Sequence, residues 1–356
     1  MLDPGTDIAM PWAMAFAVVL GCVTLAVYLA RAYARRERRR LRQRAQDLAR
    51  DFASFVDGRL GVHELREAVA DADAGTFWSA LEPFAVRLPR PEWLRLSKAL
   101  ARNAHVAMEH RALRDDSPWR GELAARRLAL VRSQASRRVL RRALVAGPEL
   151  LSYAAARALA RYGDLRALQW LLEHPDRLRR RSAKQWMTLF EAFGPAAFTS
   201  LMDALQRLET EQPRIERAIL EALGRIGDLA ATAAIEKRLG AEAVDMRVAA
   251  ARALGRMRAV HCVSGLIATL KDPAWQVRAQ AAWALGRARA PLAVYPLSGR
   301  LTDSSWWVRR HAAYALGELG EEGIAALDHA ARHSDDRYAR DIAKEVLAGG
   351  LVKRRA

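Results

Sequence analysis

An all-helical solenoid preceded by a single membrane-spanning helix is the fold class this sequence predicts, and three observations predict it. A short Ala-Leu-Gly element returns at a constant interval, with its leucine at Leu223, Leu254, Leu285 and Leu316. An uncharged run stretches from Ile8 to Ala30. Alanine, leucine and arginine dominate, while β-branched residues and glycine or proline turns are too sparse for a sheet protein.

The N-terminal part reads in three steps. Residues 1–7 form a short extracytoplasmic tail, and 8–30 form a transmembrane helix of roughly 34 Å, enough for a hydrocarbon core of about 30 Å. Trp12 lies near one end of it, and Tyr28 and Tyr33 lie near the other, where aromatic rings favour the headgroup level. Residues 31–50 form a basic juxtamembrane helix. Asp3 and Asp7 precede the apolar run and a block of arginines comes after it. That asymmetry predicts a single-pass inner-membrane (cytoplasmic-membrane) protein with its N-terminus outside and its C-terminal domain in the cytoplasm. Arg31, Arg35, Arg36, Arg38, Arg39 and Arg40 are then placed to meet anionic lipid headgroups, at about 1 kcal/mol per basic residue.

Residues 51–118 are helical but out of register with the repeats beyond them, and read as an atypical cap closing the end of a repeat stack. Trp78, Phe84 and Trp93 supply its apolar material, and Pro83, Pro89 and Pro91 are expected to break any long helix there.

Residues 119–350 carry the repeats, and 351–356 form a basic tail. Val277, Ala281 and Leu285 stand four apart and share one helix face. The same stripe recurs as Ile215, Ile219, Leu223; as Met246, Ala250, Leu254; and as Val308, Ala312, Leu316. Leu128, Leu159, Phe193 and Leu347 extend the phase to eight units. A second apolar run after each marker completes a helix pair, which cannot hide its own apolar face and must stack. Gly255, Gly286 and Gly317 stand directly after the marker leucine and are expected to end the first helix in a left-handed conformation. Asp272 and Asp303 are expected to cap the next helix.

The stretch EALGRIGD at Glu221–Asp228 and the VRxxAAxALG elements resemble the short HEAT-like repeats of the phycobilin-lyase type. The resemblance implies a right-handed superhelix with first helices outside and second helices lining the concave face. It also implies that Arg247, Arg278, Arg309 and Arg340 form a structural ladder to acidic groups in neighbouring repeats. The class includes a di-iron hydroxylase built on recurring His-Glu dipeptides. One such dipeptide occurs here, His63-Glu64, too few for that centre.

No nucleophile motif, phosphate loop or metal-ligand spacing stands out; His329 and His333 are a lone pair four apart, and Cys22 and Cys262 make no disulfide framework. The chain therefore reads as a non-enzymatic scaffold or adaptor with no cofactor and no small-molecule substrate, binding a protein partner in a membrane-associated complex. The residue inside each A-x-A-L-G element is Glu221, Arg252, Trp283 or Tyr314 in turn, on a face away from the stripe. Trp283, Tyr314, Trp306, Trp307, Arg310, His311 and Arg252 are the candidate partner-binding residues, since exposed aromatics beside arginine make interface anchors. Trp275 and Trp306 also have the placement to cover seams between repeats. The formal net charge is +18, of which +13 lies after Arg50, so nucleic-acid binding is an alternative. Lyase-like or chaperone-like handling of a cofactor-bearing protein is the other. An adjacent anionic membrane argues against nucleic acid.

Overall fold

The computed structural model describes residues 6–115, 117–207 and 212–355; the side chains of 6–19, 21, 22, 38, 118 and 350–355 lie outside that description. Every element among the described residues is helical, and none is a strand. The chain divides into two compact units, Met1–Leu140 and Arg141–Ala356.

The first unit begins with α1 (Thr6–Val56), one continuous helix. It is followed by α2 (Val62–Ala70), α3 (Ala74–Arg87), α4 (Arg90–Leu100), α5 (Ala104–Ala112) and α6 (Pro118–Leu128); α7 (Gln134–Ala146) spans the division. The C-terminal half of α1 turns amphipathic, and Ala45, Leu48, Phe52 and Phe55 are buried where it meets α2, α3 and α4. Phe52 packs on Phe77 and Phe84 at ring separations of 6.3 and 6.0 Å. Buried Trp93 donates its indole N–H to the Leu130 carbonyl at 2.8 Å. Pro89 and Pro91 stand at the start of α4, but Pro83 lies inside α3, which continues for another turn.

No described helix is long and apolar enough to cross a membrane. That corrects the expected single-pass placement in the inner membrane, with its outer N-terminus and cytoplasmic domain. Among described side chains the uncharged stretch runs only from Leu20 to Ala30, about 16 Å of helix and about half a hydrocarbon core. The rest of the expected span, 8–19, lies outside the described side chains. Arg31, Arg35, Arg36, Arg39 and Arg40 are exposed on α1, whereas the Arg38 side chain is not described.

The second unit contains α8 (Glu149–Arg161), α9 (Leu165–Glu173), α10 (Ala183–Phe193), α11 (Phe198–Arg207), α12 (Pro213–Ile226) and α13 (Thr232–Lys237). It continues with α14 (Val244–Met257), α15 (Val263–Thr269), α16 (Trp275–Ala288), α17 (Val294–Ser298), α18 (Trp306–Glu318), α19 (Glu321–His333) and α20 (Arg337–Arg355). The even-numbered helices pack each on the next from α8 to α20, as first helices of successive pairs. The second helices α13, α15 and α17 are short and each is entered through a 3₁₀ turn. The expected stripes are the core: Ile219, Leu223, Ala250, Leu254, Val277, Ala281, Leu285, Val308, Ala312 and Leu316 are fully buried. At roughly 1.5–3 kcal/mol per buried large aliphatic side chain, these stripes supply the main drive for stacking.

Two local expectations are corrected. Gly255 and Gly286 do not end their helices; α14 and α16 run on to Met257 and Ala288. A Cβ on Gly286 would stand 2.7 Å from the Ala315 Cα, and one on Gly224 would stand 2.7 Å from the Ala253 Cα. These glycines let consecutive first helices touch backbone to backbone. The positive-φ turn comes three residues later, at Gly227, Arg258, Arg289 and Gly320, with φ of 79°, 51°, 49° and 79°. Likewise Asp272 and Asp303 do not cap their helices directly. Their carboxylates accept the N–H of Ala274 and Ser305 two residues on, closing turns ahead of α16 and α18.

Candidate partner-binding face

The first turn of α18 puts Trp306 and Trp307 side by side in an edge-to-face pair, 4.7 Å between rings, with 48% and 50% of their surfaces exposed. Helical spacing brings Arg310 and Tyr314 onto the same side as Trp306. The Arg310 guanidinium lies 5.3 Å over the Trp306 ring and 4.8 Å over the Tyr314 ring. Tyr314, 43% exposed, donates its hydroxyl to Glu345 on α20 at 3.1 Å, and Arg310 reaches the same carboxylate at 3.3 Å. Five side chains from two helices thus form one held, partly exposed cluster. His311 is half-buried next to it. Burial, and after it the charge of Arg310, pull its imidazole below the ordinary histidine value.

The remaining candidates lie elsewhere along the stack. Arg252 donates to the buried Glu221 carboxylate at 3.0 Å and to Gln280 at 3.3 Å, and Arg256 reaches the other Glu221 oxygen. Trp283 is half-buried, its ring lying over Gly255 where any Cβ would collide with it at 2.5 Å. The row Glu221, Arg252, Trp283, Tyr314 therefore cross-links neighbouring first helices, and only its later members reach solvent. Trp275 and Trp306 at the helix starts are both exposed.

Sequence reasoning missed Glu345 and Tyr338. Both were within reach of the repeat arithmetic: Glu345 stands one repeat interval after Tyr314, and Tyr338 stands one interval after Trp307. It also missed Leu292 and Tyr295, which protrude from the turn into α17, Tyr295 being 89% exposed.

The arginine row is held from two sides. Arg247 forks onto Asp272 (Nε to Oδ2 2.7 Å, Nη2 to Oδ1 2.9 Å), and Arg278 forks onto Asp303 (2.9 and 2.8 Å). Burial pushes both carboxyls up, but the guanidiniums and the N–H groups of Ala274 and Ser305 outweigh it and hold them below the usual carboxylate value. One repeat earlier the position of Arg247 carries buried Glu216, which accepts from Arg238 at 3.0 Å.

His329 and His333 are exposed on α19, with rings 5.0 Å apart and tilted at 42°. Among the described residues no three His, Cys, Asp or Glu side chains gather where a metal ion could be held. Burial, and then nearby Glu236, push the Cys262 thiol up to about 11.

The solved structures that this chain resembles do so distantly. Importin β is 15% identical, with 86% of this chain and 48% of that chain covered and a TM-score of 0.45. Human deoxyhypusine hydroxylase is 16% identical, covering 78% and 97%, with a TM-score of 0.30. The CpcE–CpcF complex of phycocyanin lyase from Nostoc is 20% identical, covering 82% and 95%, with a TM-score of 0.26. At these identities and scores no function is transferred from them. No curated protein matches the sequence. Family models match more locally: HEAT repeats over residues 263–348, and the PBS lyase HEAT-like repeat over 153–174 and 246–272. HEAT and PBS lyase HEAT-like repeats are thus found in the second unit, and the HEAT-repeat match covers the helices that carry the cluster around Tyr314.

Proposed function

We propose that this chain works by binding rather than by catalysis, as a scaffold or adaptor whose helical repeats hold a protein partner. The observation that supports this reading is the cluster of Trp306, Trp307, Arg310 and Tyr314, aromatic and cationic, ordered by mutual contacts yet open to solvent. Side chains of this kind lose little conformational entropy on docking and supply large contact area, as interface hot spots do. His311 flanks the cluster, and Arg252 and Trp283 lie further along the stack, where they bridge neighbouring first helices.

The test is photo-crosslinking in intact cells from a probe at position 307, followed by mass spectrometry, in the wild-type background and with Trp306→Ala/Tyr314→Ala. A defined crosslinked protein lost in the double variant is the expected result. The same crosslinks at the same yield in both backgrounds would remove this face from the reading.

A further inference from the structure

Arg247, Arg278, Arg309 and Arg340 recur at the repeat interval, each near the start of a first helix. At all four, Nη1 donates to the carbonyls six and five residues back. The acceptors are Ala241 and Glu242 (3.0 and 2.8 Å), Asp272 and Pro273 (2.8 and 3.0 Å), Asp303 and Ser304 (2.7 and 3.3 Å), and Ser334 and Asp335 (2.7 and 3.0 Å). These bonds aim the other edge of each guanidinium, Nε and Nη2, in a fixed direction. At Arg247 and Arg278 that edge grips the carboxylate ahead of the next first helix, Asp272 and Asp303 respectively.

For Arg309 the residue at the corresponding place is Ser334, not Asp. Among the described residues Arg309 has no carboxylate partner, although the next first helix, α20, is present and Arg340 repeats the carbonyl bonds. The face of the Arg309 guanidinium is covered by the Tyr338 ring at 4.9 Å. A ring over the plane leaves the in-plane donors free and stiffens the group that carries them. Half-buried Arg309 therefore presents a fork that has been oriented twice over and left unfilled. Trp306 and Arg310 lie on the same side of α18, three residues before it and one after.

We propose that the Nε/Nη2 edge of Arg309 binds an Asp or Glu side chain of the partner protein, in the geometry that Asp272 and Asp303 use internally. The inference rests on the scaffold reading and adds the chemistry of the partner segment: acidic at the Arg309 fork, with an apolar or aromatic neighbour against Trp306. A formal net charge of +18 favours an acidic partner on approach. Two parallel charge-assisted hydrogen bonds give the fork selectivity for a carboxylate over an amide.

The probe is a fluorescein-labelled hexaglutamate peptide, titrated against the full chain by fluorescence anisotropy at about 0.15 M salt, with hexaglutamine as the neutral control. Wild type gives saturable binding of hexaglutamate alone. Ser334→Asp fills the fork from within; binding falls about tenfold or more while the melting temperature rises. Arg309→Leu loses binding to the same degree, and Arg289→Gly, which removes an exposed arginine from the far end of the helices, changes it less than about twofold. Equal binding by wild type and Ser334→Asp overturns the proposal, because the attraction is then general. Absence of saturable binding overturns it too. Neither outcome bears on the crosslinking comparison, which tests the scaffold reading on its own.

Discussion

The Arg278 guanidinium on α16 clasps the Asp303 carboxylate ahead of α18, with both oxygens engaged and both groups largely removed from water. Asp303→Ala leaves that guanidinium without its counter-ion and also removes the acceptor for the Ser305 N–H. Losing one member of such a pair costs about 3–5 kcal/mol. Urea unfolding followed by circular dichroism should show a loss at the low end of that range, because Arg278 keeps its two carbonyl bonds. A loss under about 1 kcal/mol, typical of an exposed pair, would show that the clasp contributes little.

The same carboxylates set the acid limb of stability. Asp272 and Asp303 have folded-state values below their unfolded ones. The unfolded chain therefore takes up protons first as pH falls, and stability declines. The contribution is complete above an ordinary aspartate value of about 4 and is lost as pH drops through the lowered folded values. Asp272→Asn/Asp303→Asn should be less stable than wild type at pH 7 and show a shallower decline below pH about 4. Parallel limbs for the two proteins would assign the acid sensitivity to other groups.

Gly286 is a contact residue. An added Cβ would meet the Ala315 backbone at 2.7 Å, so there is no room for a methyl group. Gly286→Ala should cost about 1–3 kcal/mol by overpacking, despite alanine's better helix propensity. Gly240→Ala, with nothing within 4 Å of the added Cβ, is the matched control and should change stability by less than about 0.5 kcal/mol. If both variants unfold alike, the helices approach less closely than described.

Arg258 and Arg289 hold a left-handed conformation that Gly227 adopts without a Cβ at the corresponding place in an earlier repeat. Both arginines are exposed. Arg258→Gly and Arg289→Gly should each stabilise the stack by about 0.5–1 kcal/mol, the relief of left-handed strain less the extra freedom of an unfolded glycine. Thermal melts of the single and double variants check sign and additivity together. A fall in melting temperature would mean that these side chains make contacts worth more than the strain.

The repeat itself was open to reading because a constant spacing leaves the same buried leucine at Leu223, Leu254, Leu285 and Leu316. The role of the adjoining glycine was not, since a helix stop and a close contact require the same residue. Only the next helix, lying against Gly286, separates the two. The position that does turn reads Gly, Arg, Arg, Gly, a mixture that hides its conformation. Glu221 and Arg252 face away from the core stripe in the sequence pattern, and in the fold they do leave it. Yet in a stack that side meets the neighbouring helix, and a charge there becomes a cross-link. The N-terminal expectation rests on an uncharged run whose first half lies outside the described side chains, and no described helix qualifies as a span.

The loop carbonyls and carboxylates joined by Arg247 and Arg278 run along one edge of the stack. The opposite edge, where α14 and α16 turn at Arg258 and Arg289, is the edge of the 3₁₀ entries and the shortest helices. Bending under load then resembles the opening of a book. The stitched side acts as a spine, the pages fan at the free side, and past Asp303 the carboxylate stitching gives way to the bonds of Tyr314 and Arg310 with Glu345.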